Sequence, residues 1–159
     1  MNAATLAQLK KELQFRSPEE VQQVCLRLAR FKKENKELLT YLLFESDNEQ
    51  GFVDAVKLEV EELFFLINPN SYHYIKKSVR KILATLRKYI RYSGNKETEV
   101  ELLLHYCDQL KSFKPSIKEH PTLTNLYHRQ LALIEKKIDL LHEDLQYDYG
   151  MALEKLKEY

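Results

Sequence analysis

The sequence predicts an all-α protein, a single domain of about six or seven helices in stacked antiparallel pairs (an α-α superhelix or irregular bundle) with a long C-terminal helix. Three observations carry that prediction. Breakers are scarce, with 3 Gly and 4 Pro in 159 residues, so long regular elements meet few interruptions. Apolar residues recur at helical spacing through most of the chain. No run alternates apolar and polar residues as a half-buried strand requires.

The first helix, about 4–15, repeats Leu6, Leu9 and Leu13, with Phe15 beyond, and stops before Arg16. Ser17 then caps the next helix, Pro18 takes its first position and Glu20 completes a capping box. That helix, about 17–33, places Val21, Val24, Cys25, Leu28 and Phe31 on one side. After a short polar joint a third helix, about 36–46, carries Leu38, Leu39, Leu42 and Leu43. The fourth, about 51–67, has a wide apolar arc from Phe52 to Ile67 and a second strip at Leu58 and Phe65. Such a helix is expected to be central or to face a partner.

Pro69 ends that helix, and Asn70 or Ser71 caps the fifth, about 71–93, which Gly94 terminates. Asn95 caps the sixth, about 96–113, whose first turn holds Glu97 and Glu99 where the helix dipole favours acids. The two-proline segment 114–122 is a loop. A seventh helix, about 123–157, follows with a heptad seam of Tyr127, Leu131, Ile134, Ile138, Leu141 and Leu145. Its seam suits packing along several helices of the chain or against a second copy, and Gly150 weakens its last turns.

Two helix corners echo each other. "RFKKENKELLTYLL" at 30–43 and "RYSGNKETEVELLL" at 91–104 share Arg then an aromatic, a polar corner, Asn-Lys-Glu and a leucine-rich helix. The pattern resembles the helical repeats of the HEAT and armadillo class, in which each pair buries its apolar face on the next. The resemblance implies a stacked interaction scaffold and carries over no catalytic residue. The offset from Asn35 to Asn95 departs from the repeat length of about 40–47 residues in that class.

The net charge of +1 hides an uneven distribution. Between Glu62 and Glu97 stand eight Lys or Arg and no acid, leaving 17 basic and 24 acidic residues elsewhere, a balance of −7. On the helix 71–93, Lys76, Lys77, Arg80, Lys81, Arg87, Lys88 and Arg91 fall within an arc of about 140° at roughly 100° per residue. The apolar arc of Ile75, Val79, Ile82, Leu83, Leu86, Tyr89 and Ile90 lies on the other side. His73 sits within the basic arc, and Tyr74 and Tyr92 border it, where tyrosines could stack on exposed bases. A hairpin at 68–71 brings Glu62 and Glu59 towards this face, where they would neutralise part of it. Lys and Arg are also ordinary helix formers on a solvated face.

A second constellation is Glu101, His105 and Asp108, within about 60° of one another on helix 96–113, a spacing that suits a shared cation or proton transfer. The same three residues also read as a plain polar face.

Other chemistry is absent from the pattern. There is no H-E-x-x-H, no Gly-rich phosphate loop and no serine nucleophile motif, so no catalytic residue, cofactor or metal is expected. Cys25 and Cys107 form no C-x-x-C pair and read as reduced core thiols. The N-terminal stretch lacks a signal-peptide core, and the longest apolar run is 63–67, so a cytoplasmic protein without a membrane segment is expected.

The expectation is therefore a non-enzymatic interaction or scaffold protein of helical-repeat type. Its partners are expected to be proteins, with a homodimer through helix 123–157 as one use of the seam. The alternative is binding of nucleic acid or another polyanion through the basic face of 71–93.

Overall fold

The structure, a computed structural model, describes residues 1–158. They form eight α-helices and no strand. The chain divides into two compact units, Met1–Phe44 and the part from Glu45 onward.

The first unit holds α1 (Leu6–Leu13), α2 (Pro18–Phe31) and α3 (Lys33–Thr40), which runs into a π-helical turn, Tyr41–Glu45. Two capping boxes start its helices. Ser17 and Glu20 make the expected one, with Ser17 Oγ accepting from the Glu20 amide at 3.2 Å and Glu20 Oε2 from the Ser17 amide at 2.9 Å. Thr5 and Gln8 make another ahead of α1. Lys32 alone, extended at φ −142°, separates α2 from α3, and Asn35 Nδ2 ties the corner by donating to the Leu28 carbonyl at 2.8 Å.

The apolar face read along α2 is not a core face here. α2 packs on α3 with Val21 and Cys25 half-buried, whereas Val24, Leu28 and Phe31 are exposed, Phe31 at 77%. Three short helices have too little surface to enclose a core, so α1, α2 and α3 bury no side chain fully. Cys25 is correspondingly no core thiol; Cys107 is, and burial pushes its thiol up to about 12.

The second unit comprises α4 (Glu49–Phe65), α5 (Tyr72–Ser93), α6 (Lys96–Ser112), a 3-10 turn (Ile117–Glu119), α7 (Pro121–Ile138) and α8 (Glu143–Lys157). α6 is its hub, packing on α4, α5, α7 and α8. The sequence explains why: α6 buries Val100, Leu102, Leu103, Leu104, Tyr106, Cys107 and Leu110, apolar positions that cover rather more than half of the helix. α4, expected from its second apolar strip to be central or to face a partner, is not central, since Leu58 and Phe65 are exposed at 61% and 88%.

The corner between α5 and α6 has the caps the sequence specifies. Gly94 takes a left-handed φ of 66°, and Asn95 accepts from the amides of Glu97 and Thr98. Below it, Glu49 accepts from the hydroxyls of Ser93 and the buried Thr98. The other echoed corner differs, since Asn35 lies inside α3 and caps no helix start, its amide serving the last turn of α2 instead.

The expected single helix 123–157 is two. α7 ends at Ile138, residues 139–142 turn, and His142 opens α8 in an extended conformation. Gln146 Nε2 spans the break by donating to the Leu141 carbonyl at 2.8 Å. The turn lets α8 fold back: Tyr127 Oη donates to the Leu156 carbonyl at 2.8 Å, two residues about 43 Å apart on a continuous helix. Tyr127, Leu131, Ile134 and Ile138 are buried in the packing of α7 with α6 and α8. The seam is spent within the chain and leaves those residues no face for a second copy.

Candidate polyanion-binding face

α5 is held by its apolar side. Ser71 caps its start, its hydroxyl accepting from the His73 amide at 3.2 Å. Ile75, Val79, Ile82, Leu83 and Leu86 are buried, and Tyr89 and Ile90 are half-buried. Each fully buried aliphatic side chain contributes about 1.5–3 kcal/mol, against about 0–1 kcal/mol for an exposed ion pair. The apolar arc therefore fixes the rotation of α5, and the basic arc faces outward by consequence. Tyr106 fixes the register, its buried hydroxyl donating to the Val79 carbonyl at 3.0 Å.

Lys77, Arg80, Lys81, Arg87 and Arg91 are exposed, and Lys76 and Lys88 are half-buried. Among the described residues, no carboxylate lies within ion-pairing distance of Lys76, Lys77, Arg80, Lys81, Arg87 or Arg91. Glu59 makes no ion pair with these six cations: its carboxylate accepts from the Tyr89 hydroxyl. Glu62 is exposed and makes no ion pair with the arc. Lys88 lies over the rings of Tyr89 and Tyr92, 5.2 and 6.0 Å from their centroids.

Of the two tyrosines proposed for stacking, Tyr92 is buried and Tyr74 is 53% exposed, with His73 edge-on to it at 5.6 Å. Only Tyr74 can offer a ring to a base.

A groove of about 390 Å³ runs beside the basic arc between α5 and α7, lined by Arg80, Arg87, Arg129 and Gln130 with Leu83, Ala84, Leu126 and Leu133. No acid lines it. Gln130 is 5% exposed, and its Oε1 accepts from Arg87 Nη2 at 3.2 Å. Arg129 and Gln130 escape a reading of α5 alone because they are over forty residues away. The signal that could have found them is an Arg-Gln pair flanked by the buried Tyr127 and Leu131 of α7.

Glu101, His105 and Asp108 line one groove together with Lys57 and Asp148, but they do not converge on one another. Glu101 pairs with Lys57 of α4, His105 Nε2 lies 3.3 Å from Glu61 Oε1, and Asp108 points to solvent. Burial pulls the His105 imidazole below its ordinary pKa, against the smaller opposing pull of Glu61. Among the described residues no three His, Cys, Asp or Glu side chains are placed to hold a metal ion. No described helix is long and apolar enough to cross a membrane. Compared with protein-family models, with curated proteins and with solved structures, the chain matches none.

Proposed function

We propose that the chain is a non-enzymatic interaction protein whose outward α5 face binds an extended polyanion, nucleic acid being the one that its shape suits. One observation carries the reading. Six cations of α5 have no carboxylate partner among the described residues, whereas Lys57, Lys137 and Lys157 each pair with an acid on another helix. Those three lysines staple helices together through ion pairs, and among the described residues none of the six cations of α5 does so.

From Lys76 to Arg91 the arc extends about 22 Å along the helix axis, longer than a single anionic group needs. Apart from Tyr74, the face lacks a large exposed apolar side chain of the kind that inserts into a lipid surface. The order of packing, α4 to α8 each on the next and both α4 and α8 on α6, supports a short helical stack of interaction type. A reducing, cytoplasmic setting belongs to the same reading, supported by two free cysteines.

The test is fluorescence anisotropy with a labelled oligothymidylate of about 20 nucleotides, longer than the roughly 4–16 nucleotides such a groove covers. Lys76, Lys77, Lys81 and Arg91 replaced together by Gln should weaken binding by about a hundredfold or more with the helical signal intact. Unchanged affinity, or a parent protein that binds no oligonucleotide at low salt, sinks the reading.

A second reading rests on the first unit, where Leu9, Leu13, Phe15, Leu28 and Phe31 are exposed. Protein docking on these residues is its content, with another copy of the chain as partner. Light scattering then gives a mass that rises with concentration and falls back when Leu28 and Phe31 become Ser; a monomer at all concentrations removes it.

A further inference from the structure

We propose that the groove between α5 and α7 is a seat for one phosphodiester group of a single-stranded nucleic acid, clamped by Arg80, Arg87 and Arg129, with Gln130 as the positioning residue. The inference rests on the polyanion reading above and names the atoms that would recognise the ligand.

Three arginines line one groove, two from α5 and one from α7, and among the described residues no acid lines it. Like charges gathered without a counter-ion repel one another, so the arrangement is most stable with an anion between them. Guanidinium is the group suited to that anion, because its forked N–H donors match a pair of phosphate oxygens.

Gln130 supplies the observation that separates this groove from an ordinary basic surface. A buried amide needs its hydrogen bonds made, and Gln130 directs Oε1 at Arg87 Nη2 rather than at backbone. One N–H of Arg87 is thereby used to fix its plane, and four remain to face the groove. The side chains of Arg80 and Arg129 make no hydrogen bond or ion pair among the described residues. Arg87 is thus held before the ligand arrives, while Arg80 and Arg129 are available to close on it.

The groove lies between two helices, with residues of α5 on one side and of α7 on the other. That geometry admits one strand more readily than α5 could enter a duplex, where a reading helix must protrude into the major groove. The rest of the arc, Lys76, Lys77, Lys81 and Arg91, takes the neighbouring phosphates, and Tyr74 offers its ring to a base.

The experiment titrates the labelled oligothymidylate, a duplex of equal length and heparin against the full chain and its variants at several salt concentrations. Arg129→Gln should weaken oligothymidylate binding by about tenfold or more and reduce the salt slope by about 0.7, as one lost phosphate contact on a single strand does. Gln130→Leu should lower affinity while leaving the slope unchanged, since it disorders Arg87 without removing a charge. A merely structural Gln130 would move the melting temperature alone.

If Arg129→Gln and Gln130→Leu bind like the parent while the quadruple Lys/Arg→Gln variant of α5 does not, the seat is overturned and the polyanion face stands. If the parent binds neither oligonucleotide nor heparin, both fall. Heparin or duplex bound more tightly than the single strand, through the same arginines, overturns the assignment to single-stranded nucleic acid.

Discussion

The Tyr89 hydroxyl lies 3.0 and 2.9 Å from the two carboxylate oxygens of Glu59, donating a hydrogen bond shared between them. This contact between α4 and α5 decides the character of the basic face. It engages the acid that the hairpin brings towards α5, and Glu59 makes no ion pair with Arg80 or Lys81. Glu59→Gln should therefore change affinity for the oligothymidylate by less than about twofold, well under the tenfold that 1.4 kcal/mol represents. A tightening of about tenfold would mean that Glu59 masks the face.

His105 sets a pH dependence of stability. Its folded pKa lies below the ordinary 6.5 because burial penalises the charged ring. Above about pH 6.5 the ring is neutral folded and unfolded, and its contribution is constant. As pH falls below that value the unfolded chain takes the proton first, and stability declines by at most about 1.4 kcal/mol per pH unit until the folded ring protonates. Urea unfolding at about pH 8 and about pH 5.5 should show a smaller drop for His105→Gln than for the parent. Equal drops would mean that the ring titrates normally in the fold.

Tyr127 closes the return of α8 on α7. Leu156 lies in the last turn of α8, where a carbonyl lacks an intrahelical partner, and the buried Tyr127 hydroxyl supplies one. Tyr127→Phe keeps the ring and strands the carbonyl, which should destabilise the second unit by about 1–3 kcal/mol. Denaturant melts check this, and an effect under about 0.5 kcal/mol would assign that carbonyl to solvent.

The two units should respond differently to truncation of apolar residues. Ile134, fully buried, should lose about 2–5 kcal/mol on change to Ala. Leu28, 55% exposed, should lose no more than about 0.5 kcal/mol on change to Ser. A large loss at Leu28 in urea melts would show that its face is covered in solution, as docking of a second copy on the first unit requires.

Where the signal was local, the sequence carried it. The Ser17 capping box, the Gly94 stop, the Asn95 cap and the division of α5 into basic and apolar arcs are each written in neighbouring residues. Long-range packing was not legible. The seam over 127–145 keeps its period across the turn at 139–142, because no Gly or Pro marks the break and Leu141 and Leu145 remain half-buried on the return. The apolar face of α2 looks like any core face until the shortage of surrounding helices exposes it. Glu101 and His105 share a helix face with Asp108, yet α4 supplies their partners, Lys57 and Glu61. Arg129 and Gln130 likewise join the basic face only through the approach of α7 to α5.

The most direct test of the open α5 face is amide chemical-shift mapping of the isotopically labelled chain during titration with unlabelled oligothymidylate. The account predicts shifts concentrated at residues 73–91 and at Arg129 and Gln130, with the first unit and α8 unmoved. Shifts confined to other surfaces, or none at low salt, would contradict it.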